Sequence, residues 1–322
     1  MRRSLLLSFG LLLASCRASS APPRARDAGA PSAVATPTRA PDAALVDAVA
    51  PALVTAAPSS PDSPATAQAW IEVFYPGWAM PGRPPAAIDW SNVTDVVLFG
   101  LVPAGDRVEA ASTGLTSERI AAARAAARTA GASVLVCLGG ERTGRRFRAS
   151  IDVDGGTSLA ASVGAFVEEH DLDGVVIDIE PLAEVPAGAL VGFVRHLRKR
   201  LEAGDARSRR LEAVVAPDAR EVARLAPIAS ELGRVAVMSY LGAATTPERE
   251  RELLDALVAI GFGRANVGVG LDGSTTTART AQRTELVRTG AAGGVILWHA
   301  GTLCERAAGG ARCSPAPEGL RR

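Results

Sequence analysis

Lysine is almost missing from this chain: Lys199 is the only one among 35 basic residues. Arginine makes up the difference, a skew that points to a GC-rich coding sequence rather than to a function. The formal net charge is only +1, so there is no electrostatic case for a nucleic-acid partner. Histidines number three and fall at no metal-ligand spacing, so no metal site is expected, and no cofactor is implied. Aromatic residues are scarce, at 4% of the chain. The apolar run near the N terminus is about ten residues long, too short to span a bilayer.

That run is nevertheless informative. Residues 1–16 read MRRSLLLSFGLLLASC, two arginines followed by the apolar stretch, as in a signal peptide. It ends in Leu13-Ala14-Ser15-Cys16, which resembles the bacterial lipobox, whose cysteine is acylated and becomes the first mature residue. An exported protein held to the cell envelope through a lipid on Cys16 is the expectation, with a plain signal peptide as the alternative. Residues 17–68 are mostly Ala, Pro, Ser and Thr without a sustained apolar period. Such a composition cannot bury enough surface to offset chain entropy and reads as a disordered tether. Among the remaining cysteines, Cys304 and Cys313 lie close together in a Gly-rich stretch, and export would let them oxidise to a disulfide. Cys137 lies in an apolar run and reads as a small core residue.

From residue 69 to 322 short apolar runs alternate with amphipathic stretches. The expected strands are WIEVFY (70–75), DVVLFGL (95–101), SVLVCLG (133–139), GVVIDIE (174–180), LEAVVA (211–216), RVAVMSY (234–240), ANVGVG (265–270) and GVILW (294–298). Helical patterns separate them: SERIAAARAAARTAG with Ser117 as its cap, SLAASVGAFVEEH, GALVGFVRHLRKRLEAG, and TPERERELLDALVAIG with Pro247 at its start. The first helix, around IDWSNV, and the last, after Trp298, look short or irregular. Strands apolar throughout and separated by helices imply parallel strands covered by helices. Eight such units in this length imply a single α/β domain, a closed (β/α)₈ TIM barrel.

One strand breaks its own apolar pattern. In DGVVIDIE, Asp173–Glu180, alternation puts Val175, Ile177 and Ile179 against the helices and Val176, Asp178 and Glu180 inside the barrel. Both acids then fall at the C-terminal mouth, where the active sites of this fold lie. Buried carboxylates are costly unless they are hydrogen-bonded or used. They are therefore either a satisfied structural pair or a catalytic one.

DGVVIDIE resembles the signature of glycoside hydrolase family 18, Asp-Gly-x-Asp-x-Asp-x-Glu. Other segments resemble that family in the right order: FYPGW followed by IDWSNVTDVVLFG, SVLVCLGG with Cys137 in a serine's place, VMSY, and GVILW. The resemblance implies substrate-assisted, retaining hydrolysis of chitin-like glycans, in which the substrate's own 2-acetamido oxygen is the nucleophile. It implies Glu180 as acid/base, Asp178 as the partner of the acetamido nitrogen, Tyr240 as donor to the acetamido carbonyl and Trp298 as the floor under the ring. Phe74, Met238 and Asp173 complete the expected substrate contacts.

The chain also departs from the family pattern. Val176 replaces the middle aspartate, and Leu241 stands where many members have another. With so few aromatics, and with no room for an extra domain between the seventh and eighth strands, a shallow open cleft is expected. The expected partner is a glycan containing N-acetylglucosamine, bound by a monomer. A lectin-like barrel without catalysis is the competing function, although such members typically lose the glutamate that Glu180 retains. A scaffold on a tether is the third.

Overall fold

Eight parallel strands close into a barrel in the computed structural model, which describes residues 69–203, 208–241, 246–304 and 313–320. They are β1 (Trp70–Pro76), β2 (Asp95–Ala104), β4 (Ser133–Gly140), β5 (Gly174–Ile179), β6 (Arg210–Val215), β7 (Val235–Val237), β8 (Val267–Asp272) and β9 (Gly294–Trp298). Closure comes from β1, which pairs in parallel with both β2 and β9. A short strand the sequence did not signal, β3 (Arg107–Glu109), folds back antiparallel on the end of β2. The leader at 1–16 with Cys16, and the tether at 17–68, lie outside the described residues.

The helices are α1 (Ser117–Thr129), α2 (Gly144–Ile151), α3 (Thr157–Glu169), α4 (Ala187–Glu202), α5 (Ala219–Ala223), α6 (Pro247–Ala259), α7 (Thr277–Arg288) and α8 (Ala300–Leu303). Between β1 and β2 there are only 3₁₀ turns, and α8 is four residues long, as the irregular patterns there implied. Pro247 does open α6, with the Thr246 hydroxyl accepting from Arg249 N at 3.2 Å. The cap of α1 is Thr116 rather than Ser117. Thr116 keeps extended backbone angles and accepts from Arg119 N, whereas Ser117 is already in the first turn.

Alternation sorts each strand between two apolar layers. Val175, Ile177 and Ile179 join the layer between sheet and helices. Val176 joins a separate cluster inside the barrel, with Trp70, Phe74, Val97, Leu135, Val214 and Met238. At the N-terminal end, Trp70 Nε1 donates to Ala265 O at 3.0 Å, and the Arg234 guanidinium lies 5.1 Å from its ring centroid. Buried Asp95 pairs there with Arg234 at 2.7 Å and with Arg210. Burial alone would push the Asp95 carboxyl up, but the two guanidiniums outweigh it and hold it below the usual range. Cys304 and Cys313 form the expected disulfide, with Cα atoms 5.5 Å apart. Cys313 O accepts from Asp89 N at 2.7 Å, which fastens the C-terminal segment to the connection before β2.

Several strand ends differ from the sequence reading, and two of them show why. The sixth expected strand, 234–240, shortens to Val235–Val237 because Ser239 N turns back to Val237 O at 2.8 Å. The seventh begins at Val267, since a 3₁₀ turn occupies Arg264–Asn266.

Candidate active site

Because every barrel strand runs the same way, their C-terminal ends meet at one mouth. A cavity of about 360 Å³ opens there, with Asp178, Glu180, Met238, Tyr240 and Trp298 in its wall. All five are residues the sequence assigned to the site. Residue 178 faces inward from β5, and residue 180 follows on the same side just past the strand end. Their α-carbons are therefore about 6.5–7 Å apart, near enough for both carboxylates to serve one ring.

Asp178 is buried, at 4% exposure. Its Oδ2 accepts from the Cys137 thiol at 3.7 Å, while Oδ1 has no hydrogen-bond partner among the described residues. Cys137 is thus more than a small core residue, because its thiol touches one of the two motif acids. Burial, then the neighbouring Glu180 charge, pushes the Asp178 carboxyl well above its usual range. Glu180 is half-buried and is also raised, first by burial and then by the Glu141 charge. The pair therefore retains a proton at a pH where free carboxyls have lost theirs. Burial, and then the two carboxylates, push the Tyr240 phenol well up as well, so it stays protonated and able to donate. The same causes keep Cys137 a thiol.

The backbone around the acids is tightly drawn. A Cβ on Gly139 would lie 1.9 Å from the Asp178 carbonyl oxygen, and its φ is +120°, so only glycine lets β4 pass β5 here. Gly144 N donates to Glu180 O at 3.1 Å, which ties the start of α2 to the acid's own backbone.

Trp298 is held edge-on by its neighbours. Its ring centroid is 4.9 Å from that of Phe99 and 5.7 Å from that of Phe74. Trp78, 49% exposed, stands 5.3 Å from Phe99 on the rim. T-shaped contacts of this kind fix ring planes.

Two expected substrate contacts are placed elsewhere. Asp173 lies before β5, where it accepts from Val134 N at 2.7 Å and pairs with Arg128 at 3.4 Å. Five residues of strand put it about 16 Å from Asp178, at the opposite end of the barrel. Phe74 is 1% exposed and lies among the barrel-interior side chains, where it supports Trp298 and is absent from the cavity wall. The sequence reading missed Trp78, Phe99, Thr113, Glu141 and Thr143, which line the cavity. Phe99 lies in β2, two residues after inward-facing Val97, so alternation along DVVLFGL carried a signal for it, whereas Trp78, Thr113, Glu141 and Thr143 lie outside the strands, where alternation carries none.

A sequence profile of the Glycosyl hydrolases family 18 matches residues 73–252, more than half of the chain. No curated protein matches the chain in sequence. Among solved structures, catalytic domain 2 of the Group II chitinase of Ostrinia furnacalis superposes with a TM-score of 0.60 at 14% identity, over 72% of this chain and 90% of that one. A family 18 chitinase of Pseudoalteromonas aurantia gives 0.58 at 19% identity, over 72% and 94%. A family 18 N-acetylglucosaminidase of Paenibacillus barengoltzii gives 0.60 at 13%, over 73% and 96%. Identities this low establish the shared fold and no more. The profile match covers the motif acids and Tyr240, and on it the chain belongs to glycoside hydrolase family 18.

Proposed function

We propose that this chain hydrolyses β-1,4-linked glycans containing N-acetylglucosamine by substrate-assisted, retaining catalysis. The observation that carries the reading is the convergence of Asp178, Glu180, Tyr240 and Trp298 on one cavity at the barrel mouth. In the first step the acetamido carbonyl oxygen attacks the anomeric carbon as the glycosidic C–O bond breaks. The leaving oxygen takes the Glu180 proton. Asp178 orients the acetamido N–H, and Tyr240 donates to the carbonyl oxygen as charge shifts through the group. Water then attacks the oxazolinium ring, Glu180 recovers a proton from it, and the anomeric configuration is retained.

A second hollow of about 260 Å³ adjoins the other side of Glu180, between Glu141, Arg142, Leu182 and Glu221. It gives the leaving sugar a place, with the acid between the two rings. The main cavity lies at the small end of the roughly 300–1,000 Å³ range of ligand pockets, which favours short or loosely packed chains over crystalline surfaces. Retention of Glu180 favours an enzyme over a lectin-like barrel. We place the protein in the cell envelope, exported through residues 1–16 and anchored by Cys16.

The test uses two chromogenic oligosaccharides that differ only at the reacting ring, N-acetylglucosamine in one and glucosamine in the other, alongside purified peptidoglycan. Release from the N-acetylated substrate, with the glucosamine analogue inert, is the expected result. Equal rates on both would refute substrate assistance, and release from none would leave a binding protein.

A further inference from the structure

Tyr240 stands on backbone that the barrel ladder does not hold. β7 ends at Val237, and just past it Met238 N still reaches across to Val215 O, at 2.8 Å. Beyond it the chain coils on itself, with Ser239 N bonded to Val237 O at 2.8 Å and Leu241 N to Met238 O at 2.9 Å. The Ser239 carbonyl lies past the strand end, in a residue only 2% exposed. It is taken up by Arg283 of α7, whose terminal nitrogen donates to it at 2.8 Å. Arg283 Nε in turn donates to Glu250 Oε1 of α6 at 2.6 Å. The arginine is 3% exposed and the glutamate 1%.

Stability is a poor reason for such a pair. Taking two charges out of water costs about as much as their attraction returns, and apolar residues of similar size usually do as well. Glu250 Oε2 also has no hydrogen-bond partner among the described residues, so the pair is not even fully satisfied. What the ion pair supplies is a fixed point. It joins α6, α7 and the exit of β7 at the carbonyl immediately before Tyr240. The Tyr240 ring packs against β8, where a Cβ on Gly270 would come within 2.8 Å of it. The ring thus rests against Gly270, on backbone that is clamped at the preceding residue.

We propose that Arg283, oriented by Glu250, is the positioning residue for Tyr240 and fixes where its phenol meets the substrate. The proposal rests on Tyr240 acting as the acetamido donor, so its test needs a readout independent of turnover. The composition supplies one: the chain has only two tyrosines, Tyr75 and Tyr240. Fluorotyrosine labelling of the full chain gives two ¹⁹F resonances, assigned with Tyr240→Phe. Tyr75 is fully buried, bonded to Arg83 O at 2.5 Å, and serves as the internal control.

Arg283→Met alone strands the Glu250 charge and is expected to lower the melting temperature. The decisive variant is therefore Arg283→Met with Glu250→Met, which removes the clamp without leaving a buried charge. It should fold with a melting temperature near that of wild type. The Tyr240 resonance should shift or broaden while Tyr75 is unchanged. kcat should fall about tenfold to a hundredfold, as expected when a group moves by up to about 1 Å. In a Tyr240→Phe background the same double change should cost no further kcat. A folded double variant with an unchanged Tyr240 resonance overturns the positioning role, whether or not the wild type turns over. A moved resonance in a protein that hydrolyses nothing leaves the clamp standing and refutes the proposed function instead.

Discussion

Replacing Val176 by aspartate would put a third carboxylate inside the barrel, at the position where the family signature carries one. Val176 is fully buried and lies between Cys137 of β4 and Glu212 of β6 in the strand register. Its α-carbon is two residues from Asp178 on the same face, about 6.5–7 Å away. Two carboxylates at that separation, in an effective dielectric of about 20, repel by about 2.5 kcal/mol. That corresponds to a ceiling of about 1.8 pKa units, and a shift of about one unit is the working expectation. The added charge raises the pH at which the Asp178–Glu180 pair gives up its last proton. The alkaline limb of the pH–rate profile should therefore move up by about one unit. Losing the valine methyls and burying a polar group should cost about 2–4 kcal/mol of stability. In a domain of this size that lowers the melting temperature by about 5–15 °C. The assay is a pH–rate profile of both proteins on one chromogenic oligosaccharide, with melting curves beside it. Superimposable profiles from two folded proteins would refute the coupling and leave Val176 as core packing.

Cys137→Ala removes the thiol that partly offsets the rise in the Asp178 carboxyl, so Asp178 should ionise at higher pH and the acid limb of the profile should move up. An unmoved acid limb would show that the 3.7 Å contact has no electrostatic role. Glu72 is held neutral by burial and then by Glu212, well above its ordinary 4.5, so the folded state binds a proton that the unfolded state has released. Its contribution is favourable below that ordinary value and is lost as pH rises toward the raised one, so Glu72→Gln should flatten the fall in urea-unfolding stability from pH 5 upward. Equal slopes in the two proteins would contradict this. Cys16→Ser in the full chain should move the protein out of the membrane fraction, and an unchanged fraction would rule out the lipid anchor.

What the sequence made legible follows from periodicity, and what it hid follows from loops. The β5 alternation assigned Val175, Ile177 and Ile179 outward and Val176 and Asp178 inward, as they are. A period of two has no freedom once one face is fixed. Asp173 was misread because the motif's first letter was taken as part of its site, whereas a strand of this length carries its two ends to opposite ends of the barrel. Phe74 was read as a wall of the site and does face the barrel interior, but it lies among the core side chains there and outside the cavity wall. Trp78 and Glu141 sit beyond strand ends, where chain direction depends on turns that no apolar period encodes. The Arg283–Glu250 pair gave no signal either, since each residue alone reads as an ordinary charge on an amphipathic helix.

The proposed hydrolysis needs Glu180 as the proton donor, and Glu180→Gln tests that most directly. The amide keeps the shape and the hydrogen-bonding reach of the side chain but has no proton to give. Wild-type and variant chains are compared on one chromogenic N-acetylchitooligosaccharide, with affinity for the unlabelled oligosaccharide measured by calorimetry. Hydrolysis should drop by about 10²–10⁴-fold, while affinity stays within about tenfold, or about 1.4 kcal/mol. Turnover that survives the substitution would mean that some other group protonates the leaving oxygen.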